Sequence, residues 1–584
     1  MQTLRWLWDV LLPRERTTLL IVLAATVVGS VAEAATIGLV VPFIGVLAEP
    51  ASVNDSAWRI VSARLPIMPP VQTVLVLGAA LLGMFLVKNA YLTVLVHQQY
   101  RFVFSAQAAL SKRLLLTYLR APWTFHTQRN SAELLRDVNV EVPLVFGNVL
   151  NPLMVLATEL LVTTAVVLLL VIVEPVSSLL CLVLLGGMTA VFYVVVRRRT
   201  TRLGERQFHL RADMIKAVTQ GLGAAKETKV LGREEFFATE FARSADQCAA
   251  ANTYLATISQ LPRFFLETLV IGGIVGILGV MAWQGRDTAE ALPMLALFAV
   301  AAFRLMPAMN RIVSCVANIR YHGKALRAVH HSLTTLTGGG PIRDALGRET
   351  SAATFERLEL RTLSYRYAGA ERDAVSAIDL IIPRGAAVGI TGPSGAGKTT
   401  LVDVIVGLLE PVQGDVFVDG EPVRDLATWR RRIGYVPQQV YLLDDSVRRN
   451  VAFGLPDADI DDERVWAALR SAQLERLVRG ERGGLEVTVG ERGVRFSGGE
   501  RQRLGIARAL YHDPDVLVLD EITASLDVET EQEVTRAIRS LKGMKTLIII
   551  THRLSTIEHC DMVYELAEGR LVRARTTIGA GGVA

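Results

Sequence analysis

The sequence predicts an all-α transmembrane domain of six helices fused to an α/β domain. Three observations carry that reading. Six apolar runs, at roughly 17–47, 72–96, 144–173, 175–196, 264–283 and 290–316, are each long enough to cross a hydrocarbon core, which takes about 20 helical residues. Around Thr337-Gly338-Gly339-Gly340-Pro341 the composition turns linker-like, and beyond it strand and helix patterns alternate as in a largely parallel sheet. Within that half, the run from Gly392 through Ser394, Gly395, Gly397 and Lys398 to Thr399 fits G-x-x-x-x-G-K-[ST], so a P-loop NTPase domain is expected. The expected boundaries are 1–336 for the membrane domain, 337–353 for a linker, 354–575 for the nucleotide-binding domain and 576–584 for a flexible tail.

The totals agree. A chain of 584 residues exceeds what one core holds, and 51% hydrophobic residues with a mean hydropathy of +0.35 point to membrane-embedded segments. A net charge of +5 gives no argument for a nucleic-acid partner. Cys181, Cys248, Cys315 and Cys560 are scattered singly, with neither metal spacing nor a disulfide framework. Arg14 and Arg16 precede an apolar stretch too long for a signal peptide and without a clear cleavage site, so no cleavable signal is expected.

Residues 3–12 join Trp6, Leu7, Val10 and Leu11 to basic neighbours, which fits either an interfacial helix or an extension of the first span. The segments 97–141 and 197–260 are long and rich in Arg and Lys; placing them in the cytoplasm puts both termini and the second domain there. Turns within them, at Ala121–His126 and Gly223–Thr228, are candidates for docking on the second domain. Residues 49–70 suit a small amphipathic helix on the outer face or a plain loop. Lys88, Arg263 and Arg304 lie within or at the edge of membrane segments, as do Glu33, Glu159 and Glu267. Such charges pair between helices or line a wet cavity, and a cavity with unpaired bases would accept an anionic head group.

In the second half a strand, Ala386–Ile390, leads into the glycine loop, and Leu401–Val406 reads as the following helix. That setting aims backbone N–H groups and a helix N-terminus at one anion. Lys398 can reach the β- and γ-phosphates of ATP, and Thr399 can ligate Mg2+, with Thr400 beside it. Tyr367 is the better placed of two tyrosines to stack on adenine. Asp515–Glu521 is a buried strand ending in Asp520, a Mg2+ holder, and Glu521, a general base for the attacking water. His552 follows a further apolar strand, Thr546–Ile550, where it can sense the γ-phosphate, and Gln438 can reach Mg2+ and the attacking water. Ser497-Gly498-Gly499 opens a helix and offers donors to an anion, for which a single domain has no need at its own site.

In this order and spacing the residues resemble those of ATP-binding cassette (ABC) half-transporters of the exporter type. The resemblance implies a Q-loop at Gln438, a signature at Ser497–Gly499, Walker B acids at Asp520 and Glu521, a D-loop at Ser525-Leu526-Asp527 and a switch histidine at His552. It further implies two cassettes closing head-to-tail over two ATP molecules, hence a second copy of the chain as partner, in the inner membrane of the cell. The signature departs from Leu-Ser-Gly-Gly-Gln by reading Phe496-Ser497-Gly498-Gly499-Glu500. The stretches Ser30–Glu33, Pro262–Glu267 and Arg304–Ile312 resemble the membrane domain of flippases of lipid-linked oligosaccharides. That likeness implies an anionic lipid or glycolipid substrate met by Lys88, Arg263 and Arg304, in contact with membrane lipids; export of peptides or hydrophobic drugs is the alternative.

Overall fold

The computed structural model describes residues 2–48, 70–173, 175–283, 288–337, 355–523 and 526–576. The chain divides into two compact units, one of residues 1–121 and 125–342, the other of 122–124 and 343–584.

The first unit is helical. α1 (Gln2–Val10) stops before Pro13, which opens α2 (Pro13–Ala48) at the position where a missing N–H costs nothing. The N-terminal segment is therefore a helix of its own and not an extension of the first span. Its buried face, Leu7 and Val10, packs with Leu326, Val329 and Leu333. α3 (Pro70–Leu119), α4 (Trp123–Gln128) and α5 (Ser131–Arg136) follow, then two π-helical turns, Asp137–Glu141 and Phe146–Leu150, and α6 (Asn151–Val173). α7 (Pro175–Gly223), α8 (Ala225–Leu231), α9 (Glu234–Trp283), α10 (Thr288–Tyr321) and α11 (Gly323–Thr337) complete the unit. Among the described residues, three stretches are long and apolar enough to cross a membrane: Pro13–Thr36, Val74–Leu119 and Ser131–Leu168. The other three expected spans fall inside α7, α9 and α10, which are helical along them. The expected turns at 121–126 and 223–228 coincide with the starts of α4 and α8. The 49–70 segment lies, but for its last residue, outside the described residues. α7 and α10 cross closely at Gly204, where a Cβ would stand 2.0 Å from the Tyr321 carbonyl oxygen.

The second unit carries two sheets. One is antiparallel, in the order β2 (Val375–Pro383), β1 (Arg357–Tyr365), β4 (Gln413–Val418), β5 (Glu421–Pro422). The other runs β10 (Arg570–Thr576), β9 (Met562–Ala567), β3 (Ala387–Thr391), β8 (Thr546–Ile550), β7 (Val516–Asp520), β6 (Ile433–Val436), parallel except at the β9–β10 edge. Continuous apolar runs suit its central strands because both faces are covered. Val516, Val518, Ile548 and Ile550 face one core with Leu358, Leu360 and Ile378 of the antiparallel sheet. Leu517, Leu519, Leu547 and Ile549 face the other, with Leu504 and Ile506 of α13. Around these sheets pack α12 (Lys398–Ile405), α13 (Gly498–Leu510) and α14 (Val528–Leu541).

Asn450 holds α13 to the segment ahead of it. Its side chain is fully buried; Oδ1 accepts from the Leu443 N–H (2.9 Å) and from Arg508 Nη2 (2.9 Å), and Nδ2 donates to the Leu443 (3.0 Å) and Ser446 (3.1 Å) carbonyls. Replacing Asn450 by Ala strands these groups in the interior, and should cost about 2–4 kcal/mol of stability. A thermal midpoint of the purified full chain within 1 °C of wild type would contradict that role.

Candidate functional site: a phosphate loop and its acids

β3, β8 and β7 end in register: Ile390 pairs with Ile550, and Ile550 with Asp520. The ladder continues one residue further, the Glu521 N–H donating to the Ile550 carbonyl (2.9 Å) and the Thr551 N–H to the Ile390 carbonyl (3.3 Å). Residues just past each strand therefore emerge at one edge of the sheet, the usual place for a ligand site in parallel sheets.

The loop itself is shaped by two glycines that admit no side chain. Gly392 has φ +145°, and a Cβ there would lie 2.0 Å from the Leu566 carbonyl oxygen; at Gly397, with φ +98°, it would lie 2.4 Å from that of Ala374. At Gly395 a Cβ would meet nothing within 4 Å, so this part of the loop faces open space, with Ser394 exposed beside it. Gly397 caps α12 without a side-chain bond, which leaves the first N–H groups of the helix directed at the loop. These features suit a phosphate cradle.

Lys398 closes the loop from within. It is 6% exposed, and its ammonium donates to the Gly392 (2.7 Å) and Pro393 (3.0 Å) carbonyls and to His552 Nε2 (2.9 Å). Three donors thus meet three acceptors. Glu521 Oε1 stands 3.5 Å from the same Nε2. Glu521 adopts φ +46°, a conformation unfavourable for a residue with a side chain, which turns it off the line of β7. Its Oε2 accepts from Gln438 Nε2 (2.9 Å). Lys398 with His552, and Glu521 with Gln438, are therefore two bonded pairs set side by side at one edge of the sheet.

Asp520 is buried, and Tyr435 donates to its Oδ2 at 3.4 Å. Burial, and after it the adjacent Glu521, pushes the Asp520 carboxyl up from its ordinary value. Burial also pushes up the Asp403 carboxyl, to about 6, with the charge of Asp520 adding to the effect. Among the described residues no group of three or more His, Cys, Asp or Glu could hold a metal ion. Mg2+ is commonly held by one or two carboxylates plus substrate phosphates; a donor set with the one carboxylate of Asp520 beside Thr399 and Gln438 fits that habit.

Tyr367 is 40% exposed, against 6% for Tyr365, and stands edge-on to it at 5.0 Å with its hydroxyl 3.1 Å from Thr400 Oγ1. It offers the free ring face. Ser497 caps α13 in a two-way box: Glu500 Oε2 accepts from the Ser497 N–H (2.7 Å) and Ser497 Oγ from the Glu500 N–H (3.3 Å). Glu500, the departure noted in the sequence, thus has a structural task. Among the described residues, Ser497, Gly498 and Gly499 bond neither to the loop nor to Asp520, Glu521 or His552. Two helpers leave no local pattern in the sequence: Tyr435, and Gln502, whose Nε2 donates to the Gln438 carbonyl (2.7 Å) and so ties Gln438 to α13.

Of the three basic residues expected at a membrane cavity, Lys88 and Arg263 are described with their side chains. Arg263 bonds Glu267 Oε1 one turn along α9 (2.7 Å), and Glu159 pairs with Arg311 (2.7 Å). Lys88 lies 4.7 Å from the centre of the Phe85 ring. Arg304 is on α10, and its side chain is outside the description.

Two family models match the sequence: the ABC transporter transmembrane region over residues 19–284, and ABC transporter over 375–524. The chain belongs to the ABC transporters. Similar proteins include ATP-dependent lipid A-core flippases of Cupriavidus metallidurans (33% identical over 364 residues, 61% of this chain and 59% of that one) and Chromobacterium violaceum (33% over 391 residues, 65% and 64%). The match to the first of these thus spans about 59% of that relative's length. A bacterial Atm1-family ABC exporter solved with ATP bound has the same fold, with a TM-score of 0.76 over 96% of this chain and 95% of that one at 20% identity. This is the ABC exporter architecture, a helical membrane-type domain fused to an α/β ATPase domain.

The raised Asp403 carboxyl makes the stability of the ABC ATPase domain depend on pH. A folded value of about 6 above the ordinary 3.8 means that the folded state holds the proton more tightly, so this group costs stability as pH rises from 4 through 6. Replacing Asp403 by Asn should stabilise the domain at pH 8 on the order of 1–3 kcal/mol, with the gain shrinking towards pH 4. Thermal melts of both proteins across that range check it; a gain that grows on acidification would contradict the assignment.

Proposed function

We propose that the protein is an ATP-driven flippase of the inner membrane that moves an anionic lipid, a lipid-linked oligosaccharide or a related glycolipid, from the cytoplasmic to the outer leaflet. The single observation that carries the ATPase part is the cluster of Lys398, His552, Glu521 and Gln438 at the in-register ends of β3, β7 and β8. Membrane-length helices in the other unit and the similarity to lipid A-core flippases support the lipid.

Lys398 turns from the loop carbonyls to the β- and γ-phosphates of ATP, a charge-assisted contact stronger than the neutral one it replaces. Glu521 then takes the proton of the attacking water, which Gln438 orients from the other carboxylate oxygen. His552, released by Lys398, turns to the γ-phosphate. Mg2+, held by Thr399, Asp520 and Gln438 with phosphate oxygens, would neutralise charge on the phosphates. Tyr367 stacks on adenine. Ser497, Gly498 and Gly499 serve the phosphates of a second copy, in keeping with their lack of contact to their own loop. Closure of two copies around ATP reshapes the membrane helices only because ATP binds the closed pair better than the open one.

Two measurements test this together. In proteoliposomes, polyprenyl-pyrophosphate glycans should stimulate ATP hydrolysis, and Glu521→Gln should lower hydrolysis about 10²–10⁴-fold while ATP still binds. Stimulation by peptides and by no lipid-linked glycan would overturn the substrate, and undiminished turnover of the variant the role of Glu521.

A further inference from the structure

A cavity of about 540 Å3 lies between α2 and α3. The helices run in opposite directions there: Tyr91 donates to the Ala25 carbonyl (2.7 Å) at one end, and beyond the other Arg113 reaches the Val10 carbonyl (3.3 Å). Opposed directions bring the polar residues of both helices to the same end. Arg14 and Thr18 of α2 stand level with Gln98 and Arg101 of α3, whereas Ile21 and Val94 line the far end. Val22 and Leu95 are buried as its floor, while Ile21 and Val94 are 63% and 60% exposed.

The polar end carries two arginines against one acid among its described lining residues. Glu15, the one acid in the lining, has a carboxylate oxygen engaged by the Leu12 N–H (2.8 Å). Arg16 is turned away to the Trp8 (2.9 Å) and Leu11 (3.1 Å) carbonyls. Among the described residues, Arg14 and Arg101 form no ion pair.

We propose that this groove binds a phospholipid with an anionic head group, its phosphate between Arg14 and Arg101 and its acyl chains along Ile21, Val22 and Val94. The site rests on the reading that this unit spans a membrane, but it is separate from the ATP site. Guanidinium forks match phosphate oxygens, and a groove that passes within a few turns from paired arginines to bare aliphatic wall has the polarity of a lipid.

The test is native mass spectrometry of the purified full chain titrated with phosphatidylglycerol, with phosphatidylcholine as the control. The Arg14→Ala/Arg101→Ala double variant should bind phosphatidylglycerol about tenfold more weakly, with phosphatidylcholine unaffected. Arg14→Lys/Arg101→Lys should lose less. Gln98→Glu, which removes no packing group, should weaken phosphatidylglycerol binding in the same direction should the double variant fail to fold. Equal binding of the two lipids to wild type overturns the proposal, as does unchanged phosphatidylglycerol binding in the variants. A shift of the monomer–dimer equilibrium with lipid binding unchanged would instead make the groove an interface between copies, and also overturns it. ATP hydrolysis measured on the same samples keeps the two readings apart: intact hydrolysis with no lipid preference sinks the groove alone.

Discussion

The ATPase half depends on one constraint, that three parallel strands of different sequence position end at the same level. The Ile390–Ile550–Asp520 register decides that the glycine loop, Glu521 and His552 meet. A slip of one residue in any of them would send its terminal side chain to the opposite face of the sheet.

On that frame the electrostatics are arranged around deliberate excess. Asp403, Asp520 and Glu521 put three acids near each other, and burial keeps two of them reluctant to ionise. Lys398 answers them only in part, because its ammonium is spent on two carbonyls and an imidazole. Those are exchangeable neutral contacts, so an anion in the loop competes for Lys398 on favourable terms. The strained backbone at Glu521 belongs to the same arrangement, since it sets the carboxylate between Gln438 and His552.

Much of this was legible in the sequence where a local pattern has one physical reading. Glycines before Lys398 imply a main chain approaching an anion, and two acids after four apolar residues imply a buried strand end. The capping box of Ser497 and Glu500 was equally legible, from the spacing of a serine three residues before a glutamate. Contacts between distant residues left no such trace: Tyr435 with Asp520 and Gln502 with Gln438 depend on which strands and helices become neighbours. In the membrane half, long apolar runs are legible in the sequence but the pairing of their charges is not. Arg263 and Glu267 are four apart on one helix, a spacing that lets them satisfy each other without any cavity. The break between α1 and α2 hinged on Pro13, whose effect composition alone does not rank against a continuous helix.

The most direct measurement of the central claim is the equilibrium affinity of the full chain for ATP with Lys398 replaced by Ala. If phosphate is held by taking over the Lys398 ammonium from Gly392, Pro393 and His552, the variant binds ATP at least about tenfold more weakly, the effect of losing one charge-assisted contact. Wild-type affinity in that variant would contradict the account.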